Sequence, residues 1–271
     1  MKKIAILGKK ETYSEHAANL FIASQQDKLD KVYYKTTKEV VYSLEQGIDY
    51  AILPFENTLE GYVNQHMDLL IEQKVSIISE VFLNIRFNYV SNTNNPKRLY
   101  VQYVAKNQCL SWIEKHDDLE IIMTESNTES LELMLNDDLS AAIIPYHLAI
   151  SRTFSYVNED VSDNLVNHTR FLILTKDNVQ ITDDAFKQKA TLLIKVNKDK
   201  PGLLYEILRE FANRNMSLIS IMSRPTKYQI GTYHFFIELY INIDLNEQDK
   251  LKEIEELFQL TILGIYTNIE A

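Results

Sequence analysis

Glycine is scarce in this sequence, and its spacing excludes the common nucleotide-binding loops. The chain has 6 glycines in 271 residues, and none of them forms the pattern G-x-G-x-x-G or a P-loop. Both loops need closely spaced glycines to bring backbone amides onto phosphate groups. We therefore expect no nucleotide site of either kind.

Cysteine is scarcer still. Cys109 is the single cysteine, which excludes an internal disulfide and is typical of a reducing compartment. The 6 histidines never show the three-to-five-residue spacing of the usual zinc sites, and the serine-hydrolase pattern G-x-S-x-G is missing. The chemistry that remains is that of carboxylates, amides, hydroxyls and arginines.

Positive charge is also in deficit. Lys and Arg number 28 against 38 Asp and Glu, a net charge of −10, so the surface repels phosphate backbones and nucleic acid is not an expected partner. No apolar run approaches the ~20 residues of a membrane span. The run Ile4–Leu7 is too short for a signal-peptide core. We predict a cytoplasmic protein without a membrane partner.

The first part of the chain reads as two lobes. Residues 1–176 alternate short apolar runs with amphipathic segments, as βα units do. Strict alternation over Val81–Tyr89 predicts one long strand that crosses between lobes. Lobe 1 is expected at about 1–80 and 160–176, and lobe 2 at about 81–159, with a cleft at their junction.

The remaining chain predicts a second domain. Residues 177–189 are polar and lack apolar periodicity, so they predict a linker. Residues 190–271 show the order β-α-β-β-α-β of the ferredoxin-like unit, with Pro201 opening the first helix. This segment is long enough to form a small domain of its own.

Capping and breaking residues predict several element ends in lobe 1. Ser14 is expected to cap the first helix. Thr37 is expected to cap the second, which Gly47 ends. Pro54 is expected to end a strand over Tyr50–Leu53.

A dense polar stretch follows that strand. Pro54–Gly61 reads P-F-E-N-T-L-E-G and combines two carboxylates, an amide and a hydroxyl. In α/β sheets, ligands bind where strands end at their carboxyl side. A turn capped by Asn57 or Thr58 accounts for the same residues, and both interpretations stay open.

A second polar stretch enters the last strand of the first domain. Asn167–Phe171 reads N-H-T-R-F, and on a strand residues 168 and 170 face one way while 169 and 171 face the other. Arg170 is costly to bury unpaired, which predicts either an anionic ligand or a salt-bridge partner. His168 is either an acid–base group or plain polar surface.

These motifs together resemble the prephenate dehydratase family. Its patterns P-I-E-N-S/T-x-x-G and N-x-T-R-F match Pro54–Gly61 and Asn167–Phe171. Pro201–Leu204 and Ser223–Pro225 are similar to parts of its carboxyl-terminal ACT domain. The resemblance covers essentially the whole chain. It implies an α/β fold, with a two-lobed periplasmic-binding-protein-like catalytic domain plus a ferredoxin-like βαββαβ ACT domain.

Two family patterns are altered in this sequence. G-P-x-G-T-F-S appears as G-K-K-E-T-Y-S over Gly8–Ser14, so we expect a differently shaped loop that keeps the hydroxyls of Thr12 and Ser14. S-H-P-Q-A-L-A-Q-C is kept only at its end, Gln108-Cys109. A substrate contact from the lost serine is not expected.

The resemblance implies loss of carbon dioxide and water from prephenate, giving phenylpyruvate without a cofactor or metal. It implies Thr169 as the catalytic donor to the departing hydroxyl, and Glu56 as a proton donor or an orienting group. Arg170 is expected to bind a substrate carboxylate. The other expected substrate-binding residues are Thr12, Ser14, Asn57, Thr58, Gly61, Gln108, Asn167 and Phe171.

The ACT resemblance implies feedback inhibition by L-phenylalanine and assembly as a homodimer or dimer of dimers. A helix that begins near Pro201 offers free backbone amides to the effector's carboxylate. Met222 stands where the family has glutamate; we expect inhibition to be retained, and whether this change weakens it stays open. The expected effector-binding residues are Gly202, Leu203, Leu204, Met222, Ser223, Arg224 and Pro225.

Two alternative functions stay open at this point. An arogenate dehydratase differs only in the substrate's amino group, which the sequence does not decide. A non-catalytic two-lobed sensor with an ACT domain shares the same architecture. Because no chorismate-mutase helices precede residue 1, we expect a monofunctional enzyme.

Overall fold

A computed structural model describes residues 1–177, 188–196, 201–241, 245–258 and 260–269. Within these ranges the strands form two sheets, of which the larger continues from the first lobe into the carboxyl-terminal domain. None of the helices in these ranges is long and apolar enough to span a membrane.

Lobe 1 is built around a mixed sheet with helices on both faces. Its elements are β1 (Lys2–Leu7), α1 (Tyr13–Ser24), β2 (Leu29–Tyr34), α2 (Thr37–Tyr42) with a 3₁₀ turn (Ser43–Gln46), β3 (Tyr50–Asn57), β4 (Gly61–Tyr62), α3 (Asn64–Glu72) and β5 (Ser76–Asn84). β1 pairs in parallel with β2 and β3. Ile4, Ala5 and Ile6 are fully buried because α1 packs on one face of the sheet and α2 on the other.

Lobe 2 has its own sheet. Its elements are β6 (Phe87–Ser91), β7 (Arg98–Gln102), α4 (Tyr103–Asn107), α5 (Leu110–Ile113), β8 (Glu120–Thr124), α6 (Asn127–Leu135), β9 (Ser140–Pro145), α7 (Tyr146–Ile150) and β10 (Tyr156–Asn158). The strand order is β10-β6-β9-β7-β8. The chain then returns to lobe 1 as β11 (His168–Thr175), which lies antiparallel between β3 and β5. Two crossings therefore join the lobes.

The carboxyl-terminal domain has the ferredoxin-like order. Its elements are β12 (Gln188–Ile194), α8 (Leu203–Asn213), β13 (Leu218–Pro225), β14 (Tyr233–Ile241), α9 (Leu245–Phe258) and β15 (Thr261–Ile269). α8 packs on one sheet face, where Ile207 and Phe211 meet Ile237 and Leu239. The other face, which carries Phe236, packs onto lobe 1.

The last strand joins this domain to lobe 1. β15 pairs with β12 and then, over Thr267–Ile269, in parallel with Ser79–Val81 of β5. A sheet of order β13-β14-β12-β15-β5-β11-β3-β1-β2 results. The two domains therefore share backbone hydrogen bonds.

Several sequence expectations need correction. The alternation over Val81–Tyr89 belongs to two strands, β5 and β6, in different sheets. It is continuous because residues of both strands enter one apolar core. Thr12, not Ser14, caps α1, and Thr36 caps α2 in a capping box with Glu39. Gly47 ends the 3₁₀ turn in the left-handed conformation, as expected.

The strand that Pro54 was expected to end continues to Asn57. Pairing with β11 is irregular there, because Phe171 lies opposite Pro54 and Arg170 opposite Glu56. A β-bulge tolerates the missing backbone donor of proline. The predicted linker lies outside the described residues over 178–187, and Gln188 and Lys189 already belong to β12.

Candidate active site

Thr169 and Asn57 lie side by side on β11 and β3. The Asn57 amide Nδ2 donates to the Thr169 hydroxyl oxygen at 3.0 Å and to Asn167 Oδ1 at 2.8 Å. A hydroxyl that accepts one hydrogen bond keeps its own hydrogen for a second acceptor. The Thr169 hydroxyl is therefore oriented as a donor.

The network continues into lobe 2. The Asn167 side-chain amide donates to Gln108 Oε1 at 2.9 Å. Gln108 is the C-cap of α4 in lobe 2, whereas Asn57 belongs to lobe 1. Asn167 is buried and links the two. Because Gln108 uses its oxygen toward Asn167, its amide hydrogens are available to a ligand.

The loop after β3 is a turn that orients Asn57. Asn57 Oδ1 accepts from the backbone amides of Leu59 and Glu60 at 2.9 and 3.2 Å. Gly61 closes the turn with a φ of +76°, a conformation that glycine adopts without strain. The Thr58 hydroxyl accepts from the His168 amide at 3.0 Å and so fastens the turn to β11. The turn interpretation of this stretch is confirmed, and the ligand-binding interpretation stays a prediction.

Arg170 and Glu56 lie on the opposite face of these strands. The Arg170 side chain is 2% exposed, and its Nε lies 3.1 Å from Glu56 Oε2 as an ion pair without hydrogen-bond geometry. Nη1 and Nη2 donate to both oxygens of Glu238 at 2.9 and 3.0 Å. Burial alone disfavours the guanidinium charge, but the Glu238 and Glu80 carboxylates hold the Arg170 pKa well above its ordinary value.

This placement differs from the sequence expectation for two residues. Arg170 meets carboxylates of the protein itself, which is the salt-bridge alternative of the sequence analysis. Glu56 faces Arg170 and not Thr169, which separates it from the hydroxyl that it was expected to assist. The alternation of side chains along a strand is the physical reason for both differences.

Three more expected contacts lie outside the Thr169 network. Phe171 is 2% exposed and belongs to the apolar core. Ser14 is buried on α1. Thr12 accepts from the Glu15 amide at 3.3 Å and lines, with Ser126 of lobe 2, a separate cavity of about 410 Å³.

Contacts that join the lobes near α1 were not predicted. The Arg152 guanidinium donates to the Glu11 carboxylate at 2.6 Å. The His147 Nε2 lies 3.2 Å from the Glu11 carbonyl oxygen, and its ring stacks on His16 with centroids 4.8 Å apart. Burial, with His16 nearby, lowers the pKa of His147 to about 4. These residues are far apart in sequence, so no motif reveals them.

The expected effector residues divide between two surfaces. Gly202 begins α8 with a φ of +84°, and Leu203 and Leu204 form its first turn. On β13, Met222 packs against the apolar cluster shared with lobe 1. Arg224 donates to both oxygens of Asp68 in α3 at 3.0 Å. The alternate positions Ser223 and Pro225 are exposed.

Known proteins match this chain along its whole length. A family model for prephenate dehydratase matches residues 4–179, and one for the ACT domain matches residues 190–257. The prephenate dehydratase of Methanocaldococcus jannaschii is 31% identical over 268 residues, which cover 95% of each chain.

Two solved structures are similar in fold and sequence. The prephenate dehydratase of Staphylococcus aureus subsp. aureus Mu50 superposes with a TM-score of 0.81 at 27% identity, covering 98% of this chain and 100% of that chain. The prephenate dehydratase of Arthrobacter aurescens in complex with L-Phe gives 0.78 at 25% identity, covering 98% and 90%. The expected fold class is confirmed. The chain belongs to the prephenate dehydratase family and carries an ACT domain.

Proposed function

We propose that this protein converts prephenate to phenylpyruvate, carbon dioxide and water. The observation that carries the proposal is the Thr169 hydroxyl, held as a donor by Asn57 at the junction of two lobes. Asn167 and Gln108 extend the same network across the junction. All four residues lie in stretches that match the family patterns.

The reaction needs a hydrogen-bond donor at one atom, the oxygen of the departing ring hydroxyl. As the ring carboxylate leaves as carbon dioxide, its bonding electron pair enters the ring and the ring C–O bond breaks. The departing hydroxide must receive a proton, and aromatisation supplies the driving force. A threonine hydroxyl is a weak acid, so Thr169 acts as a fixed hydrogen-bond donor to the leaving oxygen while water delivers the proton.

Neutral side chains orient the substrate in this proposal. The Gln108 amide hydrogens point away from the Asn167 bond and can donate to a substrate carboxylate. Asn57 is fully engaged by its turn and by Thr169, so it orients the donor rather than the substrate. Binding and donation are thus divided between the lobes, and both require the lobes to meet.

A substrate comparison tests this function. Purified protein is incubated with prephenate, and phenylpyruvate is followed by its absorbance in alkali. A parallel reaction with arogenate is analysed for phenylalanine. Phenylpyruvate from prephenate is the expected result. Phenylalanine from arogenate alone would assign the arogenate activity, and no product from either substrate would favour a non-catalytic sensor.

We also propose feedback inhibition by L-phenylalanine at the ACT domain. The amino-terminal end of α8 offers backbone amides to a carboxylate, beside Gly202, which has no side chain to block its approach. The solved relative from Arthrobacter aurescens is in complex with L-Phe. Titration of the dehydratase activity with phenylalanine, with tyrosine and tryptophan as controls, tests the proposal. Unchanged activity at millimolar phenylalanine without binding heat would contradict it.

A homodimer, or a dimer of two such dimers, is the proposed assembly. β13 is the edge strand of the large sheet, and Ile219 and Ile221 on it are 40% and 44% exposed. An unpaired apolar edge favours pairing with a second copy, which brings the exposed Ser223 toward the partner. Light scattering at micromolar concentration tests this, and a monomer would contradict it. We place the protein in the cytoplasm, where its single thiol, Cys109, stays reduced.

A further inference from the structure

Four charged side chains meet between lobe 1 and the ACT domain. Lobe 1 contributes Arg170 and Glu80, and the ACT domain contributes Lys189 and Glu238. Arg170 Nη1 lies 3.2 Å from Glu80 and 2.9 Å from Glu238, and Lys189 Nζ lies 2.8 Å from Glu80. Their side chains are only 2% to 8% exposed. We call these four residues the interdomain ion cluster.

Hydroxyl groups hold the Glu238 carboxylate of the cluster in place. Glu238 accepts from Thr191 at 3.1 Å and from Ser220 at 3.0 Å. Burial disfavours the carboxylate, but Arg170 and Lys189, with Ser220, hold the Glu238 pKa below its ordinary value. Two of these contacts join the domains, Arg170–Glu238 and Lys189–Glu80, so removing one partner would leave a buried charge with fewer compensating groups.

Arg170 is anchored at an irregularity in the pairing of β11. The pairing of β11 with β3 shifts between Arg170 and Phe171, and Thr169 is the residue before Arg170. At such a bulge the strand ladder is interrupted. The Arg170 guanidinium also lies over the Phe55 ring, 5.0 Å from its centroid. Side-chain anchoring therefore contributes to the position of this part of β11.

We propose that Arg170 is a positioning residue, which Glu238 of the ACT domain holds so that Thr169 stays aligned with Asn57. The regulatory domain then supports catalysis through the interdomain ion cluster. This inference rests on the proposed dehydratase function. It differs from substrate binding by Arg170 in a measurable way, because Glu238 lies on the face of β11 opposite to the Thr169 network.

The test variant is Glu238→Gln, which removes one charge at nearly constant volume. Arg170 keeps Glu80 and Glu56 as partners, so the variant is expected to fold. We expect kcat to fall about tenfold while KM stays within about twofold. The matched control is Asp68→Asn, which weakens a separate interdomain contact, with Arg224 and Lys227, and should leave kcat within about twofold.

The variant Arg170→Lys distinguishes a positioning role of Arg170 from a substrate-binding role. If Arg170 is a positioning residue, Arg170→Lys should lower kcat about as much as Glu238→Gln does. The double variant should then lose less kcat than the product of the two separate fold-losses. A KM at least about tenfold higher with kcat retained would instead make Arg170 a substrate ligand and overturn the proposal. Parental kcat in a folded Glu238→Gln would also overturn it.

Two further measurements guard against loss of folding or activity. If Glu238→Gln does not fold, Ser220→Ala removes only one donor to Glu238. A lower kcat then supports the proposal, and an unchanged one overturns it. If the parent protein itself forms no phenylpyruvate, the proposed function fails, and amide hydrogen exchange over His168–Thr175 is used instead. Faster exchange in Glu238→Gln but not in Asp68→Asn supports the positioning role, and equal exchange overturns it.

Discussion

A Cβ atom on Gly264 would lie 2.1 Å from the carbonyl oxygen of Ile77. Gly264 is the β15 residue opposite Thr191, just before β15 leaves β12 and joins β5. Carbon and carbonyl oxygen cannot approach so closely without backbone movement. The missing side chain therefore lets the ACT domain dock on lobe 1 closely enough to share a sheet.

We expect Gly264→Ala to separate β15 from β5 and to lower the free energy of unfolding by roughly 1–3 kcal/mol, as overpacking does. Urea unfolding measures this. Thr267→Ala, at an exposed position on the same strand, is the control and should be close to the parent protein. Parental stability of Gly264→Ala would show that the strands can move apart at no cost.

The Thr169 hydroxyl carries the second prediction. Thr169→Val keeps the side-chain shape but removes the donor, so we expect kcat to fall by a factor of about 10²–10³, as for the loss of one preorganised donor. Thr169→Ser keeps a hydroxyl for Asn57 to orient and should retain much more activity. Steady-state kinetics with prephenate distinguishes them. If Thr169→Val and the parent protein have similar kcat values, the Thr169 hydroxyl takes no part in the reaction.

The sequence predicts much of this site because its motifs lie at strand ends. Asn57 is the last residue of β3 and Thr169 lies at the start of β11, and adjacent strands bring such positions together. Alternation along β11 also predicts opposite directions for Thr169 and Arg170. The partner of Arg170 is not predictable in this way. Glu238 lies on a strand of another domain, and periodicity contains no information on how domains dock.

Element boundaries show the same limit. The apolar pattern at the end of the chain covers Ile262–Tyr266, but β15 extends to Ile269 because β5 supplies a second pairing partner. The short strands β4 and β10 were missed because Gly61–Tyr62 and Tyr156–Asn158 are too brief for a period to appear. Tertiary pairing, not local pattern, decides such segments.

The lowered pKa of His147 predicts that the protein becomes less stable in acid. The His147 pKa is about 4 in the folded chain against an ordinary 6.5, so between these values the unfolded chain binds a proton that the folded chain does not. The free energy of unfolding should therefore fall as the pH falls from 6.5 to 4, by up to roughly 1.4 kcal/mol per pH unit from this group. His147→Phe keeps an aromatic ring against His16 and should flatten the slope. Urea unfolding at several pH values compares the two proteins, and equal slopes would contradict the assignment.

The interdomain ion cluster also predicts how the proposed phenylalanine inhibition is transmitted. If the ACT domain acts on Thr169 through Glu238, then Glu238→Gln should still bind phenylalanine, because the proposed effector residues lie on α8 and β13 and Glu238 lies on β14. Its residual activity should respond less to saturating phenylalanine than that of the parent protein. Calorimetry for binding and initial rates for inhibition measure the two effects separately.

Thermodynamic linkage between the phenylalanine and prephenate sites provides a second test of this route. When one ligand changes the affinity for a second, the second changes the affinity for the first by the same factor. In a Thr169→Val background, which binds prephenate with little turnover, prephenate should therefore weaken phenylalanine binding measurably. In the double variant of Thr169→Val and Glu238→Gln, the Kd of phenylalanine should be similar with and without prephenate. If the difference persists undiminished, the two sites communicate by a route that does not include Glu238 and Arg170.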